Sequence, residues 1–474
     1  MSFLQRRKSL DAETSIGSGA RLRRTLGWPH LVALGVGAII GTGIYTLVGI
    51  GAGKAGPAVI LAFLVAGIVC ACAALAYAEL ATMMPVAGSA YTYTYAVAGE
   101  LPAWIVGWSL ILEYTVVCSA VAVGWSGYAA GFLRSIGVDL PPGLLAGPHV
   151  AGGIFNLPAA VIVFVVAGML LVGTRESATV NGILVTVKVI ALLVFMGIAF
   201  TAFQSSHFTP FMPYGFSAHL EGGETKGVMA AAAIIFFAFY GFDAVSTAAE
   251  ETRNPGRDLV RGIVGSMAVC TVIYIGVAAA ALGAMPFGDF AASSEPLAHV
   301  LRTLNAPVAA NLIAAAAIVA LPTVILAFLY GQSRIFFVMA RDGLLPAKLG
   351  GVNQKTGQPV TMTIVTAIVV ALIAGFFPLS QIAELANAGT LLAFVAVGGC
   401  VMALRVMQPN RERVFRTPLV WVVGTVAVLG CVYLFFSLPE GTRTRFYYWN
   451  ALGLAVYFLY AIRTSHIGKQ PGLD

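Results

Sequence analysis

Apolar runs about twenty residues long, parted by short polar turns, recur from residue 30 to residue 462. A helix of that length crosses the roughly 30 Å hydrocarbon core of a bilayer. The runs near 30–50, 58–84, 102–131, 156–173, 179–202, 227–250, 262–284, 307–334, 360–377, 384–404, 419–437 and 447–462 predict twelve spans. They do not alternate with a period of two, as the strands of a membrane barrel do. The fold class is therefore an all-α polytopic membrane protein. Residues 1–29 form a polar, basic tail, too poorly apolar for a cleaved signal peptide. The polar interval 85–99 carries Tyr91, Tyr93 and Tyr95 and reads as a loop whose tyrosines mark a membrane interface; a strand there would leave its edges unpaired. The longer polar interval 203–226 separates five front spans, 30–202, from five rear spans, 227–405. Residues 406–474 hold spans 11 and 12 and a C-terminal tail.

The first span is unusual. Gly35, Gly37, Gly41 and Gly43 lie inside it, and each weakens a helix by roughly 1 kcal/mol. One reading is close packing through small residues. The other is a break near Gly41-Thr42-Gly43 that turns backbone N–H groups toward a bound anion. Span 6, first of the rear block, has its own weak centre at 239–243, Phe-Tyr-Gly-Phe-Asp. Two five-span blocks, each led by an interrupted helix, match the layout of an inverted-repeat transporter.

Composition narrows the class. Of 474 residues, 59% are hydrophobic and only 10% charged, against about 25% charged in soluble domains. The net charge of +7 does not imply nucleic acid, because its placement matters more than its sum. With both termini inside, nineteen of the 27 Lys and Arg fall on cytoplasmic segments and six on the opposite face. Lys188 and Arg334 lie in or at the end of spans. That bias predicts twelve spans with both ends cytoplasmic, and makes 203–226 extracytoplasmic. The six cysteines all sit in apolar segments and read as packing residues, with no disulfide frame, metal cluster or cofactor motif. No nucleophile elbow, phosphate loop or spaced histidine cluster points to an enzyme.

Ionisable groups within spans are costly and mark function or a paired network. Glu79 ends span 2 and is the weakest candidate for transport. Glu113 lies inside span 3, where a carboxylate needs a partner or holds its proton; gating, substrate contact, coupling and a structural network all fit. Lys188 sits about ten residues into span 5, where snorkelling is strained. It either couples transport, as a stand-in for a metal cation or a proton carrier, or is a fixed counterion. Asp243 lies in the weak centre of span 6, as a cap on the second half-helix or a substrate contact. Glu250 and Glu251, followed by Arg253 to Asp258, form a helix exit with gating potential, as do 330–334 and 341–343.

Gly-Val-Gly-Ala-Ile-Ile-Gly-Thr-Gly-Ile-Tyr at 35–45 resembles the first helix of the amino acid–polyamine–organocation superfamily. Tyr-Ala-Glu-Leu at 77–80 and Gly-Ser-Ala-Tyr at 88–91 resemble its second-helix region. The stretch 236–251 from Phe-Phe-Ala-Phe-Tyr-Gly-Phe-Asp to Glu-Glu, with Asn254-Pro255 and Tyr-Gly-Gln-Ser-Arg-Ile-Phe at 330–336, is similar to the bacterial cationic amino acid transporter family. The resemblance runs over nearly the whole chain. It implies a LeuT-like 5+5 fold with discontinuous helices 1 and 6, in the bacterial cytoplasmic membrane, importing amino acids by alternating access.

By the same resemblance, Gly41, Thr42 and Gly43 would meet the substrate carboxylate, with Ile39 nearby. Phe237, Ala238 and Tyr240 would offer carbonyls to the ammonium group and line the pocket, with Phe237 as a gate. Lys188 would replace the sodium of sodium-coupled relatives, implying proton coupling, and Glu113 would handle protons or substrate. Tyr45 departs from the phenylalanine of many relatives, and Pro322 implies an irregular span 8. The expected function is proton-coupled amino acid symport, broad and leaning to small neutral substrates, with lipid and proton as the other partners. An exchanger or facilitator of amino acids or polyamines is the competing reading.

Overall fold

The computed structural model describes residues 6–7, 26–84, 89–172, 178–247, 252–350 and 360–466. Its helices, in chain order, are α1 (Trp28–Ile39), α2 (Val48–Ala55), α3 (Val59–Met83), α4 (Ser89–Val97), α5 (Glu100–Ser135), α6 (Leu157–Val172), α7 (Ala178–Thr201), α8 (Val228–Ile235), α9 (Phe242–Thr247), α10 (Pro255–Ala284), α11 (Phe287–Ala292), α12 (Pro296–Thr303), α13 (Pro307–Arg341), α14 (Val360–Phe376), α15 (Leu379–Met407), α16 (Val420–Phe436), α17 (Glu440–Val456) and α18 (Ile462–Thr464). Among the described residues, six helices are long and apolar enough to cross a membrane, or seven when α16 and the bent helix after it count as one span. Four shorter apolar helices coincide with expected spans 1, 4, 6 and 9. Spans 1 and 6 are short because each is broken.

The chain is a polytopic helical membrane protein. On α7, Ile183, Val187, Ile190 and Val194 recur at helical spacing and are exposed, while Val185, Lys188, Leu192, Phe195 and Ala199 are buried. A helix apolar on its outer face, with its one charge turned inward, is built for lipid outside and protein inside.

Two local expectations are corrected. Residues 89–97 are a helix, and Tyr91, Tyr93 and Tyr95 are buried rather than interfacial. Their hydroxyls and rings have protein partners: Tyr91 donates to Asp342 at 2.6 Å, Tyr95 donates to Glu100 at 2.8 Å, and Tyr93 packs edge-on against Tyr77. The fold is not purely helical, because the connecting loop holds a small hairpin. His219–Glu221 (β1) and Glu224–Lys226 (β2) pair antiparallel across Gly222-Gly223. Both glycines take positive φ, 60° and 84°, as a tight two-residue hairpin turn demands. The interval before α13 holds the short helices α11 and α12.

Pro322 leaves α13 continuous from Pro307 to Arg341. Proline has no N–H to give the carbonyl four residues back, here that of Ile318. Trp125 of α5 supplies the missing donor, its Nε1 lying 2.9 Å from the Ile318 oxygen. The irregularity is thus repaired by a neighbouring helix.

Polar clusters pin the helix ends. On the face where α3 ends, Glu79 is wholly buried and takes Arg405 bidentately at 3.0 and 2.6 Å, Arg413 at 2.9 Å and the Thr417 amide at 2.7 Å. This makes Glu79 a strut between α3, α15 and the 408–419 connection. On the same face Glu100 receives Arg6 (3.1 Å), Tyr95, Tyr457 (2.9 Å) and Ser465. The opposite face is tied by Lys54, at the end of α2, to Glu384 of α15 at 3.4 Å and to the Thr225 carbonyl at 3.3 Å. Removing the Glu79 carboxylate strands two guanidinium groups in a buried site, which costs about 3–5 kcal/mol. Glu79→Ala is therefore expected to lower the thermal unfolding midpoint of the detergent-solubilised protein by many degrees, measured by fluorescence-detected size exclusion.

Candidate functional site

The first helix breaks where its glycines cluster. After α1, Ile40 turns to extended backbone (φ −71°, ψ 97°), and a π-helical turn, Gly43–Leu47, leads into α2. The first acceptor of this second half is the Gly41 carbonyl, which takes the amides of Ile44 at 3.2 Å and Tyr45 at 3.3 Å. The amides of Gly41, Thr42 and Gly43 lie upstream of that bond, at the electropositive start of a helix. Thr42 is fully buried, and its hydroxyl has no hydrogen-bond partner among the described residues; the same holds for the Tyr45 and Thr46 hydroxyls. Both readings of this span hold in part: the helix breaks here, and Gly35 and Gly43 pack closely, a Cβ on them standing 2.4 Å from Ser266 Oγ and 2.3 Å from Ala238 Cα.

The second break lies at residues 240–241. α8 tightens into a 3-10 turn, Phe236–Phe239, after which Tyr240 is extended (φ −62°, ψ 154°) and Gly241 takes φ 106°. That φ is left-handed territory in which a side chain is strained. The two breaks cross in contact. A Cβ on Gly43 would stand 2.3 Å from Ala238 Cα, and one on Gly241 would stand 2.6 Å from the Ala38 carbonyl carbon. The broken helices run antiparallel: Leu26, just before α1, accepts the amide of Arg253 at 2.9 Å, while the amide of Gly227, just before α8, donates to Lys54 at 2.9 Å. Four helix ends therefore meet at the crossing.

The protein's own groups serve two of those ends. Lys188 Nζ lies 2.9 Å from the Gly37 carbonyl in the last turn of α1 and 3.3 Å from Thr323 Oγ1 of α13. A cation suits that electronegative end. Tyr274 of α10 donates to the Ile39 carbonyl there at 2.8 Å. Asp243 occupies the first turn of α9, the end that an anion stabilises. Glu113, buried on α5, leans on the bare backbone of Gly389 in α15, and it forms no ion pair among the described residues. The expected residues thus fall into two groups. Ile39, Gly41, Thr42, Gly43, Phe237, Ala238 and Tyr240 line the crossing, and Lys188, Asp243 and Glu113 stand around it. Glu250 and Glu251 lie outside the described residues, as does the Arg334 side chain. A surface cleft of about 600 Å³, lined by Arg134, Asp289, His299 and Arg302 among others, includes none of the crossing residues.

Residues 26–459 match the amino acid permease family model. The branched-chain amino acid permease BcaP of Bacillus subtilis is 44% identical over 468 residues, 98% of this chain and 99% of its own length. The methylthioribose transporter of the same organism is 40% identical over 471 residues, 99% and 100% of the two chains. Cationic amino acid transporter 2, vacuolar, of Arabidopsis thaliana is 40% identical over 419 residues, 86% of this chain and 64% of its own. The chain belongs to the amino acid permease family. It is a transporter and not an enzyme, as its resemblance to the amino acid–polyamine–organocation superfamily implies.

In this permease several residues at the crossing were not singled out from the sequence. Tyr128 donates to the Tyr45 carbonyl at 2.6 Å, holding the π-helical turn. Tyr274 holds the end of α1. Asn387 of α15, fully buried, donates to the carbonyls of Ala233 at 2.5 Å and Ile234 at 3.1 Å and accepts from the Tyr240 hydroxyl. Asn387 carries a readable signal, a lone amide within an apolar span; the tyrosines carry none, being ordinary in spans.

Packing at the crossing sets a sharp contrast between two neighbouring glycines. A Cβ on Gly41 meets nothing closer than the Val324 methyl at 3.5 Å, an ordinary contact. One on Gly43 strikes backbone, and overpacking of that kind costs about 1–3 kcal/mol or more. Gly43→Ala is expected to lower thermal stability by several degrees while Gly41→Ala leaves it near wild type, with melting of the purified permease as the measurement.

Proposed function

We propose that this permease imports neutral amino acids with apolar side chains, small to branched-chain, in symport with protons. Its proposed frame is twelve spans in the LeuT-like arrangement, with α1 to α7 holding the first five and α8 to α15 the second. Both termini face the cytoplasm and the Lys54 face lies outside. The alternating contacts of successive helix ends support this frame, as does the excess of Lys and Arg on the terminal side.

The observation that carries the substrate assignment is the pairing of two helix ends at one point, through Gly43 on Ala238. The start of the second half of helix 1 offers amides, and the end of the 236–239 turn offers carbonyls. An amino acid zwitterion has one charge for each. Its carboxylate sits at Gly41, Thr42 and Gly43, with the unpartnered Thr42 hydroxyl as a further donor. Its ammonium sits at the carbonyls of Phe237, Ala238 and Tyr240. The other two ends at the crossing are served by Lys188 and Asp243, so they do not compete for the ligand. Ile39, Val324 and the Phe237 ring give an apolar side-chain environment, and Phe237 closes over the ligand as a gate. The two full-length Bacillus subtilis relatives differ in substrate, so a methylthioribose ligand is the alternative to be tested alongside.

Coupling is assigned to Lys188. Its ammonium bridges α1 and α13, the place a metal cation fills in a sodium-coupled carrier. Gain and loss of a proton there change the hold on the Gly37 carbonyl, and with it the seating of α1 against α13. Glu113, on the far side of the crossing, is the second candidate for proton or gating duty.

Reconstituted proteoliposomes test both parts. Labelled Ala, Leu, Arg and Lys are offered with and without an inward proton gradient, with methylthioribose as competitor. Ala and Leu are expected to accumulate only with the gradient, and Lys188→Ala to abolish that accumulation. Equal uptake without a gradient would sink symport, and preferential inhibition by methylthioribose would overturn the substrate class. Orientation has a separate check. Leu220 and Val414 are 75% and 73% exposed, so Leu220→Cys in intact cells is expected to react with a membrane-impermeant maleimide and Val414→Cys only after lysis.

A further inference from the structure

Asn387 stands out as a buried amide whose three hydrogen bonds all go to one broken helix. Its Nδ2 serves the carbonyls of Ala233 and Ile234, near the end of α8, and its Oδ1 takes the Tyr240 hydroxyl on the far side of the 3-10 turn. The side chain therefore spans residues 236–239 from both ends. The last carbonyls of a helix lack intrahelical donors, and in a water-poor interior an unmet carbonyl costs about 1–3 kcal/mol. Asn387 donates to two carbonyls of this last turn, of which that of Ile234 also takes the Phe236 amide, and leaves the 236–239 turn to face the crossing.

Its place on α15 adds a second observation. Glu384, Asn387 and Thr390 follow one another at three-residue spacing and so share a helix face. Glu384 holds Lys54 at the end of α2. Thr390 donates to the Ala386 carbonyl of its own helix at 3.3 Å. Gly389 between them lets α5 approach, since a Cβ there would stand 3.1 Å from Glu113 Cβ. One stripe of α15 thus touches the outer half of helix 1, the outer half of helix 6 and Glu113.

We infer that Asn387 is a positioning residue that sets the carbonyl array of residues 236–239, and hence the affinity for the ligand's cationic end. It does not touch the ligand. It acts through the last turn of α8 and through Tyr240, and asparagine is required because the position needs two donors and one acceptor on a short, flat group. The affinity part rests on the proposed amino acid transport; the structural part does not.

The test is amide hydrogen exchange on the purified full-length permease together with uptake kinetics in proteoliposomes. The variants are Asn387→Ala, Asn387→Asp and Tyr240→Phe. Asn387→Ala is expected to speed exchange in peptides covering 233–241 while peptides from α10 and α13 stay unchanged. It is also expected to raise KM for Leu about tenfold, equal to about 1.4 kcal/mol, with little change in maximal rate. Asn387→Asp keeps the acceptor for Tyr240 and is expected to recover part of the KM. Asn387→Ala combined with Tyr240→Phe is expected to cost less than the sum of the two. Unchanged exchange over 233–241 overturns the inference whatever the transport result. Raised exchange with an unmoved KM overturns the link to affinity. If the wild type takes up no amino acid while exchange rises over 233–241, the positioning role stands and the amino acid reading falls.

Discussion

Every backbone N–H and C=O at membrane depth must find a partner inside the protein, because lipid offers none. The interruptions in this fold are organised by that rule. Where Pro322 withdraws a donor, Trp125 reaches across from α5. Where α1 stops at Ile39, Lys188 and Tyr274 take up its carbonyls. Where α8 gives way to a tighter turn, Asn387 serves the last carbonyls of the regular helix. Each repair is made by a side chain from another helix, so local irregularity becomes tertiary connection. The hydroxyls of Thr42, Tyr45 and Thr46, which have no hydrogen-bond partner among the described residues, cluster beside the crossing of the two broken helices.

That concentration gives the centre its chemistry. The amide-bearing start of one half-helix and the carbonyl-bearing end of another converge, so that opposite polarities stand side by side. The two remaining helix ends carry a lysine and an aspartate of the protein's own. The centre therefore holds side-chain groups of both signs at two helix ends, beside two ends of opposite polarity. The close approach needs missing side chains: Gly43 lies on Ala238, and Gly241 lies on Ala38.

Stability and function are laid out in different places. The helix ends are tied by buried ion pairs and tyrosine hydroxyls, with Glu79 and Glu100 on one face and the Lys54–Glu384 pair on the other. Between lipid-exposed helices there is little hydrophobic drive to associate, so small-residue packing and such polar ties carry the assembly. α15 belongs to both regimes. Its two ends hold ion pairs, and its middle touches the crossing.

The hydrophobic pattern made the helical class, the approximate spans and the two weak centres legible, because length and the absence of charge are set residue by residue by the cost of entering lipid. The lysine in span 5 was legible for the same reason: a charge at that depth has no bland surface to go to. Other features depended on partners distant in the chain. Tyr91, Tyr93 and Tyr95 look interfacial until Asp342, Glu100 and Tyr77 bury them. Glu79 reads only as the weakest transport candidate until Arg405 and Arg413, more than 300 residues away, enclose it and give it a structural role. The sequence determined that helices 1 and 6 would be weak at their glycines, since glycine's freedom is a property of the residue. Tertiary structure determined which broken ends face one another and which are already satisfied, since a hydrogen bond across helices depends on where folding brings its two halves together.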